Sequence, residues 1–365
     1  MKILFLVPYP IEGPSNRFRV MQYLPFLAGE GIDYYIDSFW ETRAYRILYR
    51  DGYFLRKVFY FMKGTFRRIV VLSRLSDFDK VFVHREAYPI GGAFIERFIA
   101  KRKPLIYDFD DSIFLPSCSR ANSIMGMLKR PGKVRDILKQ SHLVIAGNEF
   151  LRAYSSDFAR NTVVIPTPID TDAYMPIEES EGHYSDAGNR VVIGWIGTYT
   201  TNQYLLMLKE VFLRLIEKYG DRIEMRLVGC KSNFFDIQGI TYRNWSLDNE
   251  IKELQGFDIG VMPISDDEWA RGKCSFKIIQ YMSVGAAVAA SSVGMNREIV
   301  SDGVNGFLVS TGDEWFDKIC RLVEDSLLRR RFVEKGRETV EERYSLRVMV
   351  PRFIEALKAA KYGLQ

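Results

Sequence analysis

Short apolar runs alternate with longer segments of helical period along the chain. Amphipathic segments at Arg19–Ala28 and Gly91–Ile99 predict helices. Strand-helix alternation predicts a doubly wound parallel sheet, in which ligands bind at the carboxyl ends of the strands. The loops after Val7, Val83 and Tyr107 are therefore expected at a functional edge. Six runs in the first half predict buried parallel strands: Ile3–Val7, Asp33–Ile36, Lys80–Val83, Pro104–Tyr107, Leu143–Ala146 and Thr162–Ile165.

The pattern is interrupted by a proline-rich stretch at 166–170 and a polar segment at 178–189, and then restarts. This predicts an N-terminal Rossmann-like domain at 1–170, a linker at 171–190 and a second Rossmann-like domain at 191–347. A last helix, about Val348 to Tyr362 with Pro351 in its first turn, is expected to pack back on the N-terminal domain as part of 348–365. The predicted strands of the second domain are Val191–Ile196, Arg222–Val228, Ile240–Tyr242, Asp258–Met262, Ala287–Ala290 and Gly306–Val309.

Composition agrees with two globular domains. A chain of 365 residues exceeds the usual size of one core, and 47% hydrophobic with 27% charged residues excludes a disordered protein. The four cysteines contain no CxxC pair, which argues against a disulfide framework or a zinc site and favours a reducing cytoplasm. The N-terminal apolar run stops at Pro8, too short for a signal peptide, and no run approaches the roughly 20 apolar residues that span a bilayer. We therefore expect a cytoplasmic protein, soluble or bound to a membrane surface.

The most informative stretch runs from Asp258 to Val309. A predicted helix from Ser275 to Val284 follows the basic turn at 271–273. Helix N-termini bind anions through backbone N–H groups and the helix dipole, and glycine permits a close approach of ligand to backbone. Gly272 and Lys273, helped by Arg271, could hold a diphosphate in this way; the alternative is a solvated basic loop.

Two segments of this stretch carry a family resemblance: 276–285, Phe-Lys-Ile-Ile-Gln-Tyr-Met-Ser-Val-Gly, and 297–309, which includes Asp302-Gly303-Val304-Asn305-Gly306. They resemble the donor site of family 4 glycosyltransferases, also called glycosyltransferase group 1. Most members carry two glutamates separated by seven residues, whereas Gly272 and Gln280 stand here. Trp269-x-x-Gly-Lys and Gln-Tyr-Met in place of the glutamates resemble a subgroup.

The resemblance implies the α/β GT-B fold, two Rossmann-like doubly wound parallel-sheet domains that face each other across a cleft. It implies a retaining, metal-independent hexosyltransferase whose nucleotide-diphosphate sugar is a substrate, with no cofactor. The amide of Gln280 could bind ribose hydroxyls, and Lys277, inside the helix, could bind the donor or lie on the surface. The expected donor-binding residues are Gly197, Thr198, Arg271, Gly272, Ser275, Phe276, Lys277 and Gln280.

In the N-terminal domain, charged residues follow two predicted strands. In the resemblance, Asp110 falls near a position where many relatives carry a histidine that touches the donor sugar. The expected catalytic residues are Lys273, Asp110 and Arg85. Alternatives stay open: a metal site on the neighbouring carboxylates, capping by Asp108 and Asp111, or a structural ion pair of Arg85 with Glu86. His84 points to the opposite side of its strand from Arg85 and is expected in the core.

The loop after the first strand combines small and cationic residues. Gly13, Asn16 and Arg17, with Glu86 from the other loop, are expected to contact the acceptor or a phosphate. Arg17 is the better candidate, and for Arg19 a position on the surface of the following helix is the alternative role.

Segment 43–74 interleaves basic and aromatic residues and contains a single acid, Asp51. Basic and aromatic side chains at helical spacing bind the headgroup region of anionic membranes, so we hypothesise peripheral contact with the inner face of the cell membrane. The alternative is a helix pair whose aromatic side chains are core and whose arginines reach water. Nucleic acid is not expected, because no recognition motif accompanies the charge.

The predicted function is sugar transfer from a nucleotide-sugar donor to a glycan or lipid-linked glycan acceptor, in cell-surface polysaccharide or glycolipid biosynthesis. The alternatives are a catalytically silent GT-B scaffold and a nucleotide-sugar epimerase. A nicotinamide dehydrogenase is disfavoured because Gly194-Trp195-Ile196-Gly197 is not the GxGxxG motif.

Overall fold

The computed structural model describes residues 1–50, 52–115, 130, 132–177, 190–198 and 201–361. The chain forms two compact units. The N-terminal unit comprises Met1–Thr167, Gly272–Cys274 and Met349–Gln365, and the C-terminal unit comprises Pro168–Arg271 and Ser275–Val348.

The sheet of the N-terminal unit has six strands in the order β2-β1-β3-β4-β5-β6, with every neighbouring pair parallel. The inner strands are apolar and buried along their length, as expected of a sheet that is covered on both faces. The strands are β1 Lys2–Val7, β2 Asp33–Ser38, β3 Lys80–His84, β4 Leu105–Phe109, β5 Leu143–Ala146 and β6 Thr162–Val164.

Helices of the N-terminal unit lie between its strands. They are α1 Pro14–Arg19, α2 Leu24–Leu27, α3 Thr42–Leu48, α4 Phe54–Ser73, α5 Phe94–Ala100, α6 Lys133–Gln140 and α7 Glu149–Ser156, with short 3₁₀ turns at Met21–Tyr23, Ala28–Glu30 and Leu75–Asp77.

The sheet of the C-terminal unit also has six parallel strands, in the order β12-β11-β10-β7-β8-β9. This is the Rossmann strand order, because the chain starts in the middle at β7, adds β8 and β9 on one side and then crosses to add the rest on the other. The strands are β7 Val191–Ile196, β8 Ile223–Val228, β9 Ile240–Arg243, β10 Ile259–Met262, β11 Ala287–Ser291 and β12 Phe307–Val309.

The helices of the C-terminal unit pack a buried cluster that includes Trp195, Phe212 and Phe332 against this sheet. They are α8 Lys209–Tyr219, α9 Glu250–Gln255, α10 Glu268–Arg271, α11 Phe276–Val284, α12 Asn296–Ile299, α13 Gly312–Glu324 and α14 Ser326–Arg343, with 3₁₀ turns at Asn202–Leu208 and Gly220–Arg222. None of the helices in the described ranges combines the length and apolarity needed to cross a bilayer.

The last helix, α15 Leu346–Ala359, belongs to the N-terminal unit from Met349 onward. Its Phe353 ring stacks on Tyr23 with the centroids 4.1 Å apart. Near its end, the ammonium of Lys80 donates to the carbonyl oxygens of Leu357 and Lys358, at 2.7 and 2.9 Å. A cation at this position satisfies carbonyl groups that a helix end leaves without intrahelical partners.

The predicted α/β class is confirmed, and each of the twelve predicted strands is present with ends shifted by no more than a few residues. Two helix predictions were wrong in detail. The segment Arg19–Ala28 is not one helix, since α1 ends at Arg19 and a 3₁₀ turn precedes α2. Pro351 lies inside α15 and not in its first turn, because the helix begins earlier, at Leu346, whose N–H donates to the carbonyl of Ile169 at 2.9 Å.

The segment predicted as a linker at 171–190 is different in the structure. Its described part, up to residue 177, belongs to the C-terminal unit. The guanidinium of Arg337 on α14 donates to the carbonyls of Thr171 and Tyr174, at 2.7 and 2.6 Å, and fixes this segment to the unit. Residues 178–189 lie outside the described residues.

Candidate functional site

In each sheet the strand order defines one switch point, where the chain begins to add strands on the opposite side. The chain changes direction between β1 and β3 in the N-terminal unit and between β7 and β10 in the C-terminal unit. Open parallel sheets bind ligands outside the carboxyl ends of the strands at such a switch point. Gly13 ends the loop after β1, and Asn16 and Arg17 lie in the first turn of α1, which follows it. Arg85 follows β3, and the loop after β7 carries Gly197 and Thr198. The topology thus brings predicted site residues to the switch point within each unit.

A buried ionic network lies at the carboxyl ends of β3 and β4 in the N-terminal unit. Asp108 at the end of β4 is fully buried and accepts hydrogen bonds from both Nη2 and Nε of Arg19, the latter at 3.2 Å. Its Oδ2 also lies 2.6 Å from Nδ1 of His84, and Nε2 of His84 lies 2.6 Å from Oγ of Ser15. His84 is therefore a core histidine, as expected. The alternatives of capping by Asp108 and of a surface position for Arg19 are not what the structure shows, because each of these residues buries its charge against the other.

Asp110, the first residue after β4, is connected to this network through Ser15. Its Oδ2 accepts a hydrogen bond from Ser15 at 2.8 Å, and its Oδ1 accepts one from Nε of Arg85 at 2.8 Å. Burial raises the pKa of Asp110, but the charge of Arg85, with smaller effects of His84 and Arg19, holds that pKa well below its ordinary value. The structure therefore presents Asp110 as a fixed anion.

Arg85 has a left-handed backbone, with φ of 61°. This conformation costs a non-glycine residue about 1 kcal/mol and persists only where surrounding contacts enforce it. The predicted pairing of Arg85 with Glu86 is not present: Arg85 binds Asp110, while Glu86 accepts from the ammonium of Lys133 at 3.2 Å. Strained backbone at a strand end, beside an ionised carboxylate, is typical of functional sites.

The segment Gly272–Cys274 is held by the N-terminal unit. The Nδ2 of Asn148 donates to the carbonyl oxygens of Gly272 and Lys273, at 3.1 Å each, while Oδ1 of Asn148 caps α7. The thiol of Cys274 donates to the carbonyl of Asp110 at 3.2 Å, and burial raises the pKa of that thiol. Glycine is required at 272, because a Cβ there would overlap Oγ of Ser112 and lie 3.0 Å from its backbone nitrogen. The atoms that approach Gly272 most closely are thus those of Ser112.

Lys273, the central residue of the sequence prediction, is partly exposed. Its ammonium lies 3.7 Å from Oδ1 of Asp111, and Nη2 of Arg85 lies 4.0 Å from Oδ2 of the same carboxylate. The same oxygen Oδ1 accepts from the backbone N–H of Ser112 at 3.1 Å, so Asp111 does stabilise a turn, as one alternative anticipated. Lys273, Arg85, Asp110 and Asp111 form one cluster of charges within the N-terminal unit.

The loop after β1 is more buried than the sequence suggested. Asn16 is fully buried and donates to the carbonyl of Tyr9 at 2.8 Å, while a Cβ at Gly13 would lie 2.6 Å from Cβ of Tyr9. Arg17 is largely buried, with its guanidinium 4.5 Å from the ring centroid of Phe18. The structure shows these three residues as buried, and their contact with the acceptor or a phosphate stays a prediction. In this segment Ser15 is in contact with Asp110.

In the C-terminal unit, α11 begins at Phe276, one residue later than predicted. Ser275 is in the left-handed region, with φ of 49°, and makes no side-chain cap. Its hydroxyl donates to Oδ1 of Asn296 at 2.6 Å. Helices leave their first backbone N–H groups without intrahelical partners, and these groups bind anions. The start of α11 thus has no side-chain cap, and the N–H of Ile278 donates to the carbonyl of Ser275 at 3.0 Å.

Gln280, predicted to bind ribose, belongs to a buried polar cluster that the sequence did not reveal. Its Nε2 donates to Oε1 of Glu250 at 3.3 Å. The same oxygen accepts from the hydroxyl of Tyr174 at 2.5 Å, and Oε2 accepts from the indole N–H of Trp245 at 2.7 Å. A carboxylate can only accept, so Glu250 fixes the Gln280 amide with its nitrogen toward Glu250 and its carbonyl oxygen turned away. The signal available in the sequence was the presence of Tyr174 and Trp245, because a Tyr hydroxyl or an indole N–H that is removed from water usually finds a polar partner.

Three of the other predicted donor-binding residues, Gly197, Thr198 and Lys277, lie at or near Trp195 in the C-terminal unit. Gly197 packs beside Trp195, where a Cβ would also lie 2.7 Å from Oγ1 of Thr201. The backbone N–H of Thr198 donates to the same Oγ1 at 3.1 Å. Lys277 places its ammonium 5.5 Å from the ring centroid of Trp195, a cation-π distance.

Arg271, at the end of α10, is half-exposed and forms an ion pair with Asp266 at 2.9 Å.

Across the described ranges, no group of three or more His, Cys, Asp or Glu side chains is arranged to hold a metal ion. The three neighbouring carboxylates each pair with a cation of the protein: Asp108 with Arg19, Asp110 with Arg85, and Asp111 with Lys273.

Comparison with known proteins supports a glycosyltransferase fold. Residues 190–325 match the model of the family described as glycosyl transferases group 1. A search of curated proteins finds no match to this sequence.

Solved structures resemble the chain over nearly its whole length. The sucrose-phosphate synthase of Thermosynechococcus elongatus is 13% identical, with a TM-score of 0.71 and 98% of both chains covered. HepE of Anabaena, crystallised with UDP-glucose, is 16% identical, with a TM-score of 0.71 over 98% of this chain and 100% of that one. A glycosyltransferase of Rickettsia africae is 19% identical, with a TM-score of 0.68 over 98% and 99%. The likeness confirms the predicted GT-B class of fold.

Proposed function

We propose that the protein transfers a sugar from a nucleoside diphosphate sugar to a hydroxyl group of a glycan or lipid-linked glycan. One observation carries this proposal: residues 190–325, which match the glycosyl transferases group 1 model, form a Rossmann-ordered sheet with Gly197 and Thr198 at its switch point. The match of this unit to a transferase family favours nucleotide-sugar chemistry over the nucleotide-binding functions that the same sheet order also serves.

In this proposal the C-terminal unit binds the nucleotide. The carbonyl oxygen of Gln280, turned away from Glu250, accepts a hydrogen bond from a ribose hydroxyl. The first backbone N–H groups of α11, with no side-chain cap at Ser275, bind the diphosphate. Phe276, Lys277 and Arg271 contact the donor, as the family resemblance implies.

The N-terminal unit supplies charged groups for the reaction. As the bond between the sugar and the diphosphate breaks, negative charge grows on the departing diphosphate, and the ammonium of Lys273 stabilises it. Asp110, fixed as an anion by Arg85 and Ser15, accepts a hydrogen bond from a hydroxyl of the transferred sugar. We propose retention of the anomeric configuration, following the family resemblance.

Metal-independent transfer is part of the proposal. Lys273 provides the positive charge that a divalent cation provides in other transferases, and the nearby carboxylates Asp110 and Asp111 already face cations of the protein. Transfer is expected to continue at full rate in excess EDTA. A rate that depends on added Mg²⁺ or Mn²⁺ would contradict this part of the proposal alone.

A nucleotide panel tests the proposed function. A ligand that binds the native state raises the melting temperature in proportion to the logarithm of its concentration over its Kd. We expect stabilisation by one nucleoside diphosphate among UDP, GDP, ADP and CDP, with UDP first because HepE was crystallised with UDP and UDP-glucose. The corresponding sugar nucleotides, incubated with glycan or lipid-linked acceptors, should give a product whose anomeric configuration NMR reports.

The outcomes separate the alternatives that the sequence left open. Binding without transfer or donor hydrolysis would favour a catalytically silent scaffold, and release of an isomerised sugar without acceptor would favour an epimerase. The absence of any nucleotide-dependent stabilisation would sink the transferase proposal. We place the activity in the cytoplasm, in keeping with the three described cysteines, Cys230, Cys274 and Cys320, which are buried thiols.

A further inference from the structure

Helix α4 of the N-terminal unit presents a row of large apolar side chains to solvent. Leu55 is 81% exposed, Phe66 70% and Phe59 63%. The positions recur at three- and four-residue intervals, so they form one continuous stripe, roughly 24 Å long at 1.5 Å per residue. We call this stripe the outer face of α4; its members are Phe54, Leu55, Val58, Phe59, Met62, Phe66, Ile69 and Val70.

The opposite side of α4 shows that this orientation is fixed by the fold. Arg68 is fully buried, and both Arg67 and Arg68 form ion pairs with the buried Asp37 of β2, at 2.6 and 3.1 Å. Gly64 lies against Phe39, where a Cβ would be 2.6 Å from the backbone carbonyl oxygen. Rotation of the helix to bury its apolar stripe would leave Asp37 without its partners and expose two paired arginines. An ordinary surface helix has the reverse arrangement, with its apolar side inward.

This arrangement bears on both interpretations of segment 43–74. Some aromatic side chains are core, since Tyr60 and Phe61 pack on the buried cluster of Phe39 and Trp40. Of the arginines of α4, Arg56 is exposed and can reach water, Arg67 is 32% exposed and Arg68 is buried. A core function therefore explains only one side of the helix.

Charge around the outer face is positive. Exposed arginines lie on α4, on α3, which packs against it, and just after α3, and segment 43–74 contains Asp51 as its one acid. They are Arg43, Arg46, Arg50 and Arg56, while Lys63 is paired with Glu41 and Arg74 with Asp77. Pairing of this face with the same face of a second copy would bring these like charges together. An anionic lipid surface supplies the opposite charge and an apolar phase to receive the stripe.

We infer that the outer face of α4 inserts into the headgroup region of an anionic membrane, with the exposed arginines of α3 and α4 bound to lipid phosphates. The helix then lies along the membrane surface, and the ion pairs of Arg67 and Arg68 with Asp37 keep it attached to the N-terminal unit. This inference is independent of the transfer reaction, because it concerns no residue to which we assign the donor.

Vesicle flotation without any sugar nucleotide tests the inference. The wild-type protein is mixed at low salt with vesicles of equimolar phosphatidylcholine and phosphatidylglycerol, or of phosphatidylcholine alone. The key variant is Phe59→Ser/Phe66→Ser, which removes apolar area that the fold does not use. The matched control is Leu327→Ser, a substitution of a 77% exposed apolar residue on α14 of the C-terminal unit. Circular dichroism checks that each variant is folded.

We expect the wild type and Leu327→Ser to float with anionic vesicles and the double variant to bind them roughly a hundredfold more weakly. Substitution of Arg43 or Arg46 by Gln should weaken anionic binding about fivefold each and leave binding to phosphatidylcholine unchanged. Wild-type protein that stays unbound, or a double variant that binds as the wild type does, would overturn the inference. So would a lipid-free dimer in sedimentation that the double substitution dissociates, since a second copy would then be the occupant.

Discussion

Glu250→Gln is the substitution that most directly tests how the nucleotide-binding residues are held. Glu250 is buried and accepts hydrogen bonds from Tyr174 and Gln280 at one oxygen and from Trp245 at the other. An amide at this position has only one acceptor oxygen. If its nitrogen faces Trp245, two N–H donors meet. If it faces the other way, the Gln280 amide has to turn over or lose its partner.

The expected cost follows from these contacts. One buried donor left without an acceptor destabilises a protein by about 1–3 kcal/mol, so the unfolding free energy of the variant should fall by about 2 kcal/mol. For a unit of this size the melting temperature should fall by roughly 5 °C. If the Gln280 amide turns over, its nitrogen replaces the oxygen that we propose accepts from ribose. Loss of one such hydrogen bond should weaken nucleotide binding about tenfold.

The assay is isothermal titration of UDP, or of whichever nucleotide the panel selects, together with thermal unfolding. Glu253→Gln is the matched control, because it makes the same change on the same helix, α9, at a half-buried side chain. The control should keep wild-type affinity and melting temperature. Wild-type stability together with wild-type affinity in Glu250→Gln would refute the reasoning, and lost stability with unchanged affinity would show that Glu250 supports the fold without positioning Gln280.

Four further substitutions probe the N-terminal unit. Asp108→Asn should lower the unfolding free energy measured in urea by about 3 kcal/mol, because it leaves the charge of Arg19 buried without its carboxylate. Lys273→Ala should weaken nucleotide diphosphate binding in calorimetry at least about tenfold, whereas nucleoside binding should not change. Because the folded pKa of Asp110 lies below its ordinary 3.8, its ionic contacts stabilise the protein above pH ~4 and are lost as the pH falls further; Asp110→Asn should flatten the fall of melting temperature below pH ~4. Gly272→Ala should destabilise by about 1–3 kcal/mol, since the new methyl group overlaps Ser112, and an unchanged melting temperature would contradict that packing.

The strands were predictable because buried parallel strands are continuous apolar runs, a local signal. Val191–Ile196 and Leu143–Ala146 have the same ends in the sequence prediction and in the structure. The amphipathic segment at Arg19–Ala28 failed for a physical reason. Arg19 looked like a surface residue of a helix, but its partner Asp108 lies 89 positions away, and no local pattern shows such a pairing.

The candidate site was predictable only as a set of positions. The parallel-sheet rule identified the loops that contain Arg85 and Asp110, and these two residues do form an ion pair. The contacts of Gln280 could not be anticipated, because Glu250 and Tyr174 come from a different helix and from a segment taken for a linker. The exposed side of α4 was likewise hidden, since the sequence shows that the helix has two faces but not which one Asp37 holds inward.

The discontinuity of the N-terminal unit has a consequence for synthesis of the protein. Asn148 receives its carbonyl partners only when Gly272 and Lys273 have been translated, and Tyr23 receives Phe353 only near the end of the chain. On the ribosome, the first six strands therefore emerge well before the unit they belong to can be completed. A fragment that stops at Thr167 should be a poor substitute for the intact unit and prone to aggregation. Expression of separate halves needs a design that returns both missing pieces.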